Sequence, residues 1–394
     1  MNNNTIVFFT VYPFNNDFYK KYQFNYLINQ GYSIKIFNIF HLLYEPAVNK
    51  LPNYSELEDV NRIKQQIIKS YMELDFYINK IKGKKVVFMI CHKDSEVLEV
   101  LSKNKVKYIM FENNVLNFND DYGVLTKFMR SYCNYLSLFE FVNYLCRRIL
   151  KKKSENKFLE YPPCVILVNQ NQNKAYSKNN RTKYLSVNSF DKDLVDANKN
   201  TIKPNYLPKG KYFVLLVNHP WLIHDYVLNG HTKSYTDKEK YKLIINKFLD
   251  KVELETKIPI LIAAYPKATE DENIYNGRSF VYDTEQLVKY SSGVISHHTG
   301  GVNFAVLHNK PICMIGLRVF PKYCEFSLLN QSFAKELGVP LYYIDEENQS
   351  FIGHGMFLYN HNKYNKYKYN FLISRNNSKQ TVFENLADEL KNYL

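Results

Sequence analysis

The sequence predicts an α/β protein of two domains, each built on a doubly wound parallel sheet. Three observations carry this. The chain has 394 residues with 45% hydrophobic content, enough for two packed cores. Short apolar runs alternate with helix-length amphipathic stretches, as parallel sheets require. Where several of those runs end, the chain turns through polar residues and glycines, the places at which open α/β sheets bind ligands.

Thr5–Val11 reads as a first strand, Phe18–Gln30 as a helix and Tyr32–Ile39 as a second strand, a βαβ start. The loop Thr10–Asn16 has no glycine fingerprint, which argues against nicotinamide chemistry. A helix is expected over Glu56–Lys80, with Leu57, Val60, Ile63, Ile67, Tyr71, Leu74 and Ile78 forming one core-facing stripe. Lys85–Cys91 is a third strand, Asp94–Ser102 its helix and Val106–Phe111 a fourth strand. Their carboxyl ends present His92, Glu112 and Asn113. A long helix near Leu125–Leu150 and the strand Cys164–Val168 complete the first sheet. Residues 169–182 are a polar surface loop, and Pro204, Pro208 and Gly210 place the domain boundary within Thr201–Gly210.

The second domain opens with the strand Tyr212–Val217, which empties into His219, His224 and Asp225. An imidazole and a carboxylate so close to a strand end suit phosphate binding and proton abstraction, although a loop histidine is also commonly just solvated. A helix over Thr236–Glu255 leads to the strand Ile258–Ala264. Then come a short helix with Leu287 and Val288 inward, the strand Gly293–Ser296, the turn His297-His298-Thr299-Gly300-Gly301, a helix Val302–His308 and the strand Pro311–Ile315. Thr299 is placed to cap that helix, and Gly300 and Gly301 let backbone approach a ligand. With Ser296, His297, His298 and Asn303 as donors, the turn suits a phosphate; an ordinary strand-to-helix turn has the same spacing. Lys267 and Arg278 can supply positive charge to a departing phosphate. Glu112, Asp120 and Asp121 are the first-domain candidates for a general base, and each also fits a solvated loop acid. The chain closes with a helix Ser327–Leu337, a strand Leu341–Ile344 and a helix Thr381–Leu394, whose Phe383, Leu386, Leu390 and Leu394 share one face.

The net charge of +14 fits anionic partners. Arg147, Arg148 and Lys151–Lys153 follow the aromatic-aliphatic segment Tyr135–Phe141, which suits a lipid–water interface; a buried helix with a basic end reads the same way. Tyr364–Tyr369 is a second tyrosine-lysine segment suited to an anionic surface. No nucleic-acid motif is present, so nucleic acid is not an expected partner. The six cysteines form no CxxC pair, and the adjacent His297 and His298 face opposite ways on extended backbone, so no metal is expected. No run reaches the roughly 20 apolar residues of a membrane span, and the first nineteen residues, free of Lys and Arg, do not resemble an export signal.

The order of elements from Ile258 to Ile315 resembles the C-terminal half of GT-B glycosyltransferases of bacterial surface polysaccharide (capsule and lipopolysaccharide) biosynthesis. The matching residues are Tyr265-Pro266-Lys267, Gly277-Arg278, Thr284-Glu285-Gln286-Leu287-Val288, Ser296-His297-His298-Thr299 and Ala305-Val306-Leu307, followed by Lys310-Pro311. Tyr265 stands where the family pattern has histidine. Asn188-Ser189-Phe190-Asp191 extends the similarity weakly into the first half, and His219 or His224 with Asp225 matches a Pro-x-His-x-Asp-like element.

The resemblance implies an α/β GT-B fold with two Rossmann-like domains facing across a cleft. An acceptor-side domain would span 1–203 and a nucleotide-sugar-binding domain 204–380, with a helix over 381–394 returning to the first. It implies metal-independent transfer of a sugar from a nucleotide-activated donor to an oligosaccharide or glycolipid acceptor at the cytoplasmic face of the inner membrane. No cofactor is needed beyond the donor substrate. Tyr265, Lys267, Arg278 and Glu285 would contact that donor, Glu285 at its ribose or sugar. The Ser/Thr/His turn resembles enzymes of cytidine-activated donors, with uridine and guanosine donors open. A non-hydrolysing nucleotide-sugar epimerase and a non-catalytic membrane-associated scaffold are the alternative readings.

Overall fold

The structure is a computed structural model. It describes residues 4–11, 14, 16–44, 63, 65–82, 85–91, 94–112, 142, 161–168, 182–217, 238–263, 272–297, 299–320, 322, 324–347, 353–376 and 378–394. Two compact units emerge. The described residues of the first fall within Met1–Asn114, Val142–Phe190 and Ile373–Leu394, and those of the second within Asp191–Leu372.

The first unit holds strands β1 (Thr5–Thr10), β2 (Ser33–Asn38), β3 (Gln65–Ile67), β4 (Val86–Ile90), β5 (Tyr108–Glu112), β6 (Val165–Val168) and β7 (Lys183–Ser186). They pair in the order β3-β2-β1-β4-β5-β6-β7, all parallel. Period-two alternation sends Ile6 and Phe8 to one face, with Phe24, Leu27 and the C-terminal helix, and Val7 and Phe9 to the other, with Leu74, Ile78, Val97 and Leu101. Burial on both faces explains why the strands read as continuous apolar runs.

The second unit holds β8 (Phe213–Leu216), β9 (Ile260–Ala263), β10 (Phe280–Val281), β11 (Gly293–Ser296), β12 (Ile312–Leu317) and β13 (Leu341–Ile344). Their order is β10-β9-β8-β11-β12-β13, again all parallel. The chain lays β9 and β10 on one side of β8, then crosses to β11. The topological switch point therefore lies between the carboxyl ends of β8 and β11, where doubly wound sheets bind ligands.

Several expectations are corrected. Phe18–Gln30 is two short helices, Asn16–Lys21 and Phe24–Asn29, because Gln23 adopts a left-handed conformation (φ 44°) that a helix interior excludes. Among the described residues of the stripe over 56–80, Gln65–Ile67 is an edge strand beside β2 and the helix is Tyr71–Ile81. The strand β7 and the helix Phe190–Ala197 were not foreseen. The expected long helix near 125–150 apart from Val142, the loop 169–182 apart from Thr182, and the basic run 147–153 lie outside the described residues.

The units divide at Phe190/Asp191 rather than within Thr201–Gly210. The reason is local. Asp191 accepts a hydrogen bond from Asn303, Asn198 donates to Glu285, and Lys289 donates to the carbonyls of Asn198, Lys199 and Thr201. The C-terminal helix, Val382–Leu390, starts with a Thr381/Glu384 capping box and puts Val382, Phe383, Leu386 and Leu390 into the core of the first unit. The chain enters that unit already at Ile373, where the Ser374 N–H donates to Asn188 Oδ1.

Candidate functional site

The turn 297–301 follows β11 at the switch point, and its side chains divide into two groups. Register places Ser296 beside Leu216 of β8 and Met314 of β12. Paired residues of a parallel sheet share a face, so Ser296 faces the layer that holds the helix Val302–Leu307. Its hydroxyl is fully buried and has no hydrogen-bond partner among the described residues. Such a group normally finds a partner, because leaving it unpaired costs about 1–3 kcal/mol.

Thr299 does not cap the helix. The N-cap is Gly301, in ordinary right-handed conformation with no side-chain cap bond. Thr299 Oγ1 instead accepts from the Gly301 N–H at 3.2 Å, tightening the turn, and the N–H groups of Val302 and Asn303 donate to the carbonyls of Thr299 and Gly300. Among the described residues, the N–H groups of Thr299 and Gly300 make no such bond.

The two glycines differ. A Cβ at Gly301 would sit 3.3 Å from Leu216 Cδ2, so this glycine lets the helix pack on β8. A Cβ at Gly300 would meet no atom within 4 Å. Only Gly300 presents open backbone.

The remaining polar residues are engaged inside the fold. His297 falls on the opposite face of the sheet from Ser296, fully buried, with Nε2 2.7 Å from Tyr241 Oη and the two rings packed edge to face. Tyr241 comes from the helix Lys238–Thr256 and its Oη also lies 3.4 Å from Tyr275 Oη; burial raises both phenols. Asn303 is fully buried, donating to Asp191 Oδ2 at 2.7 Å and accepting from Tyr367 Oη at 2.9 Å.

Glu285 is 1% exposed, 2.7 Å from His308 Nε2, and accepts from Asn198 and Gln286. It therefore locks the helices Thr284–Lys289 and Val302–Leu307 to the segment ending the helix Phe190–Ala197. Arg278 lies toward the amino-terminal edge of the sheet. Its five N–H donors go to Glu253 twice, Asp250, Asn246 Oδ1 and the Tyr275 carbonyl. Glu253 in turn accepts from the Ile260 N–H at the start of β9. No Arg278 donor is left for a phosphate, which corrects the expectation for it. Glu285, Asn303 and His297 are likewise held by the protein's own groups.

In the first unit, Glu112 closes β5, half-buried. It adds to the burial that raises the Tyr184 phenol. Asp120, Asp121, His219, His224, Asp225, Tyr265, Lys267 and His298 lie outside the described residues. Among the described residues there is no group of three or more His, Cys, Asp or Glu side chains placed to hold a metal ion. The pairing of Tyr241, Asp191 and Tyr367 with His297 and Asn303 was missed by sequence reasoning. Their partners lie 56, 112 and 64 positions away, and no spacing rule reaches that far.

No protein-family model and no curated protein matches the sequence. Solved structures do match its fold. Os79 from O. sativa, in complex with UDP, aligns over 98% of this chain and 100% of its own, with TM-score 0.51 and 11% identity. The UDP-N-acetylglucosamine 2-epimerase from Rickettsia bellii aligns over 100% and 98%, with TM-score 0.50 and 10% identity. The chain thus has the α/β architecture of the GT-B class, with two Rossmann-like units.

Proposed function

We propose that the protein is a glycosyltransferase that moves a sugar from a nucleotide-activated donor to a surface polysaccharide or lipid-linked acceptor. The observation that carries this reading is the switch-point turn, which combines open backbone at Gly300, N–H groups of Thr299 and Gly300 with no acceptor among the described residues, and, at the end of the preceding strand, a buried Ser296 hydroxyl with no partner among them. A donor phosphate there would accept from those amides, and Ser296 would gain the partner it lacks. The end-to-end likeness to Os79 in complex with UDP supports the same reading and makes a uridine donor the first to test. The weak preference for a cytidine donor rests on the resemblance of the whole Ser/Thr/His turn, in which His297 is engaged by Tyr241.

Transfer to a hydroxyl by an inverting route needs a base. Asp225, with His219 or His224, carries that role in our proposal, and Tyr265 and Lys267 contact the donor. A second reading, non-hydrolysing epimerisation, is favoured by the equally complete likeness to the Rickettsia bellii epimerase.

Incubation with UDP-N-acetylglucosamine in the absence of any acceptor separates the two. An epimeric sugar nucleotide appears only if epimerisation is right. Release of UDP that depends on added glycolipid or oligosaccharide supports transfer, and Asp225→Asn should abolish it. Turnover unaffected by Asp225→Asn would remove that residue as the base.

A further inference from the structure

One surface of the second unit plays no part in the turn. From Asn348 to Phe383 the sequence contains no aspartate or glutamate, but it contains Lys363, Lys366 and Lys368 within a single helical stretch. The structure sorts that stretch. The helix His361–Tyr367, capped by Asn360, continues into a wider turn over Lys368–Leu372. Tyr364, Tyr367 and Leu372 are fully buried, so of the segment expected to suit an anionic surface only part faces outward. His361, Lys363 and Lys366 are exposed, and with them come three large apolar or amphipathic side chains, Leu358 at 40%, Tyr359 at 39% and Tyr369 at 44%.

The face is built rather than loose. Leu358 bridges Ile312 at the start of β12. Tyr359 donates to Asn309 Oδ1, which also accepts from Lys368, while its ring packs edge-on against Tyr364. A Cβ on Gly338 would sit 2.7 Å from Lys363 Cγ, so the stem packs closely on that glycine and carries the ammonium outward. Among the described residues, the Asp191 and Glu336 carboxylates act on the buried Tyr367.

We propose that this face docks the protein on an anionic lipid surface. Charge complementarity points to an anion-rich partner, because its lysines have no carboxylate among them. The interleaved Leu358, Tyr359 and Tyr369 select a lipid interface over a soluble polyanion. Their rings and aliphatic carbons gain from the headgroup boundary, while the phenols and ammoniums stay hydrated. The inference is independent of what the turn after β11 binds.

The test is co-sedimentation of the full chain with phosphatidylglycerol/phosphatidylcholine vesicles and with phosphatidylcholine alone, at two salt concentrations. Binding is expected only to the anionic vesicles and should weaken with salt. It should fall about fivefold for each of Lys363→Gln and Lys366→Gln. The double variant Tyr359→Ser/Tyr369→Ser should also weaken binding at unchanged charge, with its melting temperature confirming the fold. Absence of binding to anionic vesicles, or binding indifferent to both lysine substitutions, would overturn the proposal. So would binding to heparin that matches vesicle binding and ignores the tyrosine substitutions, which would indicate a soluble polyanion.

Discussion

Ser296, Thr299 and Gly300 stand a few residues from His297, Gly301 and Asn303, yet the two sets have opposite fates. The second set is closed. His297 is held by Tyr241, Gly301 lies against Leu216, and Asn303 bridges Asp191 and Tyr367. The first set is open, with a buried hydroxyl that has no partner among the described residues and a glycine whose Cβ would meet no described atom within 4 Å. Polar residue types in a turn do not by themselves mark a site. The ones that do are those the fold leaves unsatisfied, and among the described candidates of this turn the Ser296 hydroxyl and the Gly300 backbone meet that condition.

The comparison can be broken by substitution. Asn303→Ala should produce the largest loss, about 2–4 kcal/mol, because it removes a hydrogen bond to the half-buried Asp191 carboxylate and leaves the fully buried Tyr367 phenol without its acceptor. Urea unfolding measures this, and a loss below about 0.5 kcal/mol would show that Asn303 is not structural. Gly301→Val should cost about 1–3 kcal/mol by pressing Leu216 off the helix. Were its melting temperature to match that of the wild type, the packing role assigned to Gly301 would be wrong.

A pH scan sharpens the closed side. Burial raises the phenols of Tyr241, Tyr275 and Tyr367 above their ordinary value of 10.0. Below that pH the phenols are neutral folded and unfolded, and their contribution is fully present. As pH rises past 10, the unfolded chain loses phenolic protons that the folded protein retains, so stability must fall. Melting temperatures from pH 7 to 11 should be nearly level in this respect until about pH 10 and then decline. Ionisation of these phenols without unfolding, seen in ultraviolet titration, would contradict their burial.

Much of the frame was legible in the sequence, because parallel strands buried on both faces announce themselves as apolar runs between turn residues. The strands after Tyr32, Lys85, Val106, Cys164, Tyr212 and Ile258 all appear close to where the pattern put them. Edge elements were not legible. Gln65–Ile67 continued the helical spacing of Ile63 and Ile67, and Lys183–Ser186 offers too little apolar content to stand out. The candidate turn was legible as chemistry but not as geometry. Nothing in the spacing distinguishes Gly300 from Gly301, since the difference is made by Leu216, far away in the chain. Arg278 misled for the same reason, its five bonds coming from Asn246, Asp250, Glu253 and Tyr275.

The most direct test of the open turn is thermal unfolding of the wild type and of Gly300→Trp with UDP, CMP and GDP. A ligand that binds only the folded state raises the midpoint by mass action. The bulky ring has room to fold yet would occupy the space left for a phosphate. The account predicts equal melting temperatures without ligand, a selective rise for the wild type with one nucleotide, and no rise for the variant. An equal nucleotide shift in both proteins would place the phosphate elsewhere, and no shift with any nucleotide would contradict the glycosyltransferase reading itself.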